Sequence, residues 1–364
     1  MTSRRLSPNE YTVGWICALP IELTAAQCML EEEHHPIGFE NDTNIYTLGR
    51  IGKHNVVIAC LPAGVMGTNS AAIVATQMKF SFSHIRFGLL VGIGGGVPSK
   101  DTDIRLGDVV VSQPFKGNGG VVQYDFGTAT SKGFVQRGYL SPPPTILLNA
   151  VSKIQAGHYQ EKGHFLSYLS MLESHHPFLG DSIESDLLFD AAYEHVEGIG
   201  CSSCNHDHII HRHSRQGQLP AVHYGTIASG NQVMRDGITR DKVSSDLGGV
   251  LCFEMEAAGL MNTFPCLVIR GICDYADSHK NKQWQPYAAG RAAAYAATLL
   301  SFVPVEAIRV IPFTYTTTNP NAQFSTDQKC ARVVPEENQM TPNDAAQTHL
   351  LQGYQVCADP AQFA

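Results

Sequence analysis

The chain predicts an α/β fold, a sheet covered by helices on both faces, across residues 11–305 of its 364. Two observations carry that expectation. Short apolar runs read as buried strands, and they alternate with segments of helical pattern. Glycine and proline punctuate the switches between them.

Taken in order, VGWICAL (13–19) reads as the first strand, and Pro20 suits the first position of a helix over IELTAAQCML. HNVVIACL (54–61) is the next strand, followed by the turn AGVMG and a helix over TNSAAIVATQMKF. RFGLLVG (86–92) runs into a glycine cluster, read as a strand-to-loop turn, and GDVVVSQ (107–113) follows. VHYGTIAS (222–229) and PCLVIRGI (265–272) read as further buried strands. PYAAGRAAAYAATLLSFV (286–303) reads as a helix of small residues.

Two stretches fit the pattern less well. The middle section, about 121–219, reads as an elaboration on the sheet, with a helix over TILLNAVSKIQ (145–155). The polar, proline-studded tail, 306–364, reads as disordered.

A hydrophobic content of 43% is ample for a packed core. A net charge of −8 argues against nucleic acid or an anionic membrane as a partner, because neither offers cations to an acidic surface. With no signal-like or bilayer-length apolar stretch, the expected location is the cytoplasm. Ten cysteines are too sparse for a disulfide scaffold and read as reduced, buried thiols, among them Cys17, Cys60, Cys252, Cys266 and Cys273. CSSCNHDHIIHRH (201–213) has metal-like spacing at its start but lacks a second ligand pair across a folded spacer. The expectation is a polar, partly exposed loop and no metal.

Three places could carry chemistry. LLVGIGGGVPS (89–99) follows a strand, so its glycines can bring backbone N–H groups close to a ligand, yet it fits neither GxGxxG nor the P-loop pattern. In FEMEAAG (253–259), Glu254 and Glu256 point the same way if the segment is extended. A helix starting near Glu256 would keep that carboxylate ionised at its positive end, ready to accept from vicinal sugar hydroxyls. The competing reading is a helix cap or a buried ion pair with Arg270. Asp274 ends a buried strand, where ligands bind in open α/β sheets, and a sheltered carboxyl there can serve as a proton donor. Its competing reading is a turn aspartate.

The glycine cluster after a strand, the MEAAG segment (255–259) and the strand ending in CDYADSH (273–279) occur in the order and spacing of the purine nucleoside phosphorylase and nucleosidase superfamily. The chain resembles most the nucleoside-phosphorylase-type units of filamentous fungi, over about residues 11–303. That resemblance implies a three-layer α/β/α fold around a central mixed β-sheet, cleavage of an N-glycosidic bond and a homo-oligomer, and the expected chemistry needs no metal or organic cofactor. It gives Glu256 the ribose hydroxyls, with Met255 beside the sugar. Asp274 becomes the acid that protonates the purine. Gly94 and Gly95 lie beside the sugar and the attacking group, and SGNQVM (229–234), with Val233 and Met234, lines the base.

Phosphorylases of the superfamily hold phosphate with arginine near the first strand or the glycine loop. Here the first strand runs into Glu22 with no arginine, as in the hydrolytic members, and an anion there repels phosphate and can deprotonate water. The expectation is hydrolysis of a purine nucleoside, adenosine foremost, with Glu22 at the water. Phosphorolysis stays open, since a first-turn acid is also placed by the helix dipole. Val233, Met234 and Ile93 stand where relatives differ, which puts thioether nucleosides in doubt. A nucleotide substrate stays open through Lys100, Arg105, Arg137, Arg235 and Arg240. The alternative from another class is a sensing or signalling module without turnover.

Overall fold

The computed structural model describes residues 4–131, 133–157, 162–172, 178, 185–198, 200–215 and 220–305. The expected disordered tail falls outside them.

The first strand, β1 (Val13–Cys17), is buried along its whole length. Pro20 opens α1 (Pro20–Cys28), where its missing N–H costs no helical bond. A short β2 (Glu32–Glu33) and the antiparallel pair β3 (Tyr46–Ile51) and β4 (His54–Cys60) lead to α2 (Thr68–Ser81). Then come β5 (Phe87–Gly96), β6 (Val109–Ser112), β7 (Val121–Gln123) and the hairpin β8 (Gly127–Thr130) to β9 (Gly133–Gln136). The helices α3 (Thr145–Gly157) and α4 (Lys162–Met171) precede β10 (Val222–Gly225) and β11 (Ile227–Ser229). The described chain closes with α5 (Gly237–Asp246), β12 (Cys252–Glu254), β13 (Cys266–Asp274) and α6 (Gln285–Phe302).

The main sheet runs β10-β6-β13-β5-β1-β4-β3-β2. Its central pairs, β13 with β5, β5 with β1 and β1 with β4, are parallel, whereas β6–β13 and β3–β4 are antiparallel, so the sheet is mixed. Side chains alternate across it. Val13, Trp15 and Cys17 face a core shared with α1, α3, α4 and α6, while Ile16 joins the opposite core with α2 residues Ala71, Val74 and Met78. These are the three layers that the resemblance implies.

Several sequence expectations need correction. The glycine cluster is no turn: β5 runs straight through Gly94, Gly95 and Gly96, pairing first with β13 and then, at Gly95 and Gly96, with β12. A run without side chains lets one strand serve two sets of neighbours. VHYGTIAS is two strands rather than one, because β10 joins β6 while β11 leaves to pair with β7 and β12. The middle section is more than an elaboration, since Leu147 and Val151 of α3, Tyr168 of α4 and Phe178 are buried in the α6 core. Several elements went unread, β3 and α5 among them. The apolar pattern of β3 is broken by Gly49 and Arg50, and α5 is polar, announced only by Asp236, whose carboxylate accepts the N–H of Thr239 at 3.0 Å.

Candidate active site

A cavity of about 350 Å³ opens at the carboxyl ends of β1, β5, β12 and β13, the end where ligands bind in open α/β sheets. Glu22, Ile93, Gly94, Gly95, Met255 and Glu256 line it, with Val233 and Met234 on another side.

Glu22 sits in the first turn of α1 with its carboxylate turned back toward the sheet. One oxygen accepts the N–H groups of Ala18 at 2.7 Å and Leu19 at 3.0 Å, and the other accepts that of Ile93 at 2.8 Å. The helix-acid reading is therefore correct for its backbone partners, and the same side chain also reaches the cavity wall. Burial pushes its carboxyl up, against the opposing pull of Arg270 and the three N–H donors. Gly92 makes this seat available: a Cβ there would collide with Glu22 Oε1 and stand 2.6 Å from an Arg270 guanidinium nitrogen.

Arg270, in the middle of β13, is fully buried and joins the acids of the FEMEAAG segment. One guanidinium nitrogen is ion-paired with Glu254 and lies 3.3 Å from Glu256. Glu254 in turn accepts the N–H groups of Glu256 and Ala257, both at 3.1 Å, and so caps the turn. The cap and the buried ion pair weighed against a catalytic reading are both present, on Glu254 first. Both acids line the cavity with Arg270, and the other oxygen of Glu256 lies 3.3 Å from the N–H of Gly67.

The dipole argument for Glu256 does not hold. Only a three-residue 3-10 turn, Ala257–Gly259, follows it, too short to sum a macrodipole. Burial instead pushes the Glu256 carboxyl up to about 7, with Arg270 opposing and Glu254 and Glu22 adding to the rise.

Asp274 is placed differently. The register slips between Ile272 and Asp274, a bulge that re-aims the side chain at the strand end. Its carboxylate accepts the N–H of Ala276 at 2.9 Å and the Cys273 thiol at 3.1 Å, and Lys280 Nζ lies 3.1 Å from Oδ2. Asp274 does not line the large cavity. It lies one layer behind Cys273, Ala276 and Lys280, which do, and borders an adjoining space of about 30 Å³ that shares Cys273. Gly95 keeps that layer thin, since a Cβ there would sit 2.7 Å from Asp274 Oδ1.

Sequence reasoning missed Lys280, Lys282 and Phe253, all of which line the cavity, and cast Arg270 only as a competing explanation. Phe253 supplies an aromatic face next to Met234, held edge-on by Tyr124 at 5.3 Å. SGNQVM holds no aromatic residue, and the aromatic wall beside it comes from β12. None of Lys100, Arg105, Arg137, Arg235 and Arg240 lines the cavity; Arg105 pairs with Asp103, and Arg240 donates to Tyr275 O at 2.7 Å. The Cys/His loop also departs from expectation, with Cys201 and Cys204 buried beside Phe189. No described helix is long and apolar enough to cross a membrane.

Comparison with known proteins adds a family, three relatives and two solved structures. The model of the phosphorylase superfamily matches residues 12–301. A nucleotide-binding leucine-rich repeat (NLR)-like protein of Hyaloscypha variabilis is 47% identical over 308 residues, 84% of this chain but only 30% of that relative's length. A 5′-methylthioadenosine/S-adenosylhomocysteine nucleosidase of Mycobacterium bovis is 25% identical over 81% of this chain and 97% of its own. An Escherichia coli protein named ATP nucleosidase Cap17 is 25% identical over 78% of this chain and 50% of its own. Among solved structures, the Neisseria meningitidis 5′-methylthioadenosine/S-adenosylhomocysteine nucleosidase with methylthio-immucillin-A superposes at a TM-score of 0.52 and 17% identity, covering 79% of this chain and 98% of that one. Futalosine hydrolase of Helicobacter pylori gives 0.52 at 16% identity, covering 80% and 98%.

Proposed function

The chain belongs to the phosphorylase superfamily, and from that premise we propose that it hydrolyses the N-glycosidic bond of an adenosine-type purine nucleoside, releasing base and free sugar. The observation that carries water rather than phosphate is the seat of Glu22. A carboxylate fixed by three backbone N–H groups on the cavity wall repels an anionic nucleophile, and its raised proton affinity suits it to take a proton from water.

Water then adds to C1′ while the C1′–N9 bond breaks and its electron pair leaves with the base. Positive charge builds on C1′ and the ring oxygen, as in glycoside hydrolysis, and Glu256 counters it from the sugar hydroxyls. Asp274 gives the departing purine its proton at N7. Because Lys280 holds Asp274 behind the cavity wall, that step requires the lysine to move off Oδ2 when substrate fills the site. Gly94, Gly95 and Met255 pack on the sugar, with Val233, Met234 and Phe253 on the base.

The doubt about thioether nucleosides loses force beside a relative named for them, so methylthioadenosine belongs in the substrate panel. A second reading, a 5′-phosphorylated substrate, is favoured by one observation. Lys282 lines the cavity and has no ion-pair partner among the described residues, and a cation at a cavity wall suits phosphate. The test is incubation with adenosine, inosine, methylthioadenosine and ATP, with and without phosphate, followed by sugar analysis. Free ribose or ribose phosphate formed without phosphate is expected. Strict phosphate dependence with a sugar 1-phosphate product overturns hydrolysis, and no base from any substrate leaves the non-catalytic signalling module.

A further inference from the structure

Residues 185–198 and 200–215, ahead of β10, pack on the loop that follows β13, and they bring together side chains that the proposed reaction does not use. Cys201, Cys204 and His195 place their ligand atoms within 4.8 Å of one another. Both cysteines are buried, 8% and 6% exposed, in an apolar cluster with Phe189. His195 is oriented as metal-bound histidines are: its Nε2 donates to Gly200 O at 2.9 Å, which leaves Nδ1 for an ion.

A second, independent observation lies beside them. The His279 side chain is 7% exposed, and neither of its ring nitrogens makes a hydrogen bond. Its Nδ1 is 3.6 Å from Asp277, beyond hydrogen-bond reach, and its ring is stacked flat on Phe189 at 4.2 Å and edge-on to His195 at 5.5 Å. Burying an imidazole with two unsatisfied nitrogens is costly, and a metal ion removes that cost.

We propose that Cys201, Cys204, His195 and His279 form a tetrahedral structural site for zinc. Two thiolates and two neutral imidazoles are a usual zinc set, and they neutralise its charge in an apolar surround. Tetrahedral bonds to sulfur and nitrogen put ligand atoms roughly 3.3–3.8 Å apart, so the first three donors need to close by only about 1 Å. Each cysteine releases its thiol proton to solvent on loading. The four ligands come from three places in the chain, which is why the spacing after Cys201 looked incomplete.

The site ties the inserted segment to the active-site loop. His195 N–H already donates to Ser278 Oγ at 2.9 Å, and His279 neighbours Lys280, the partner of Asp274. Zinc there fixes the loop from which the Asp274–Lys280 pair hangs.

The test uses the full chain, produced in zinc-supplemented medium and handled anaerobically, with native mass spectrometry and metal analysis. About one zinc per chain is expected, and a chelator competition should show at least a tenfold weaker hold in H279A, with loss in C204S and H195A. Cobalt soaked into the metal-stripped wild type should give thiolate-to-metal charge-transfer bands, which needs no variant to fold and which surface histidines cannot produce. A wild type that takes up neither ion, a C204S protein that keeps its zinc, an H279A protein with unchanged affinity, or a Cys201–Cys204 disulfide in freshly isolated protein would overturn the site.

Discussion

Two of the three acids in the proposed reaction, Glu256 and Asp274, are each held by a cation, and the two clamps are built differently. Arg270 holds Glu254 and Glu256 from the centre of a fully buried strand, with its side chain 1% exposed. Lys280 holds Asp274 by a single contact from a loop, 29% exposed. A guanidinium offers several donors in a fixed fork, whereas an ammonium is a point charge on a flexible stem. The first clamp is part of the fold and the second is a latch that can open, which matches a sugar-binding acid that stays put and a proton donor that must emerge.

The largest effect that could break this contrast comes from Arg270. Arg270→Met leaves Glu254 and Glu256 as uncompensated buried charges, so a loss of about 3–5 kcal/mol in urea unfolding is expected, together with all activity. The loss should shrink as pH falls, because protonated carboxyls need no partner. A variant as stable as wild type at pH 8 would show the clamp to be dispensable.

Next comes Asp274→Asn, which keeps the shape and removes the proton. A fall in kcat of roughly 10²–10⁴-fold with an intact fold is expected. Unchanged turnover would take Asp274 out of the chemistry and leave it a loop anchor for Lys280.

The pH profile sharpens the Glu256 side. Its carboxyl, pushed up to about 7, must be ionised to accept from sugar hydroxyls, so kcat/KM should rise with pH and level off above 7. Glu256→Gln should remove its own share of that acid limb and leave the share set by Glu22, whose carboxyl burial also pushes up. The linkage sign is opposite for stability of the free protein: a raised carboxyl contributes stability at pH below the ordinary carboxylate range, and this is lost as pH rises through 7.

Smallest is Lys280→Met. It should alter turnover several-fold at most, since it opens a latch without removing a proton donor. A loss as large as that of Asp274→Asn would make the lysine part of the proton transfer itself.

Much of the fold was legible because buried parallel strands announce themselves locally. The strands at Val13–Cys17, His54–Cys60 and Cys266–Asp274 and the helix at Gln285–Phe302 all fall where apolar runs and proline placed them. Polar α5 and the continuation of β5 through Gly94–Gly96 did not, because what holds them is packing against distant segments. Among site residues, Glu22, Met255, Glu256, Gly94, Gly95, Val233 and Met234 meet in one cavity, and Asp274 stands behind its wall.

By itself the sequence determined the long buried strands and which acids stand at strand ends, since periodicity and turn chemistry act between near neighbours. Only the tertiary structure decided which charge meets which. Arg270 lies between Glu254 and Glu256, Lys280 lies on Asp274, and a histidine 75 positions beyond Cys204 comes to stand beside the cysteine pair's other partner. Such pairings depend on sheet order and register, which bring remote residues within a few ångströms and leave no trace in local spacing.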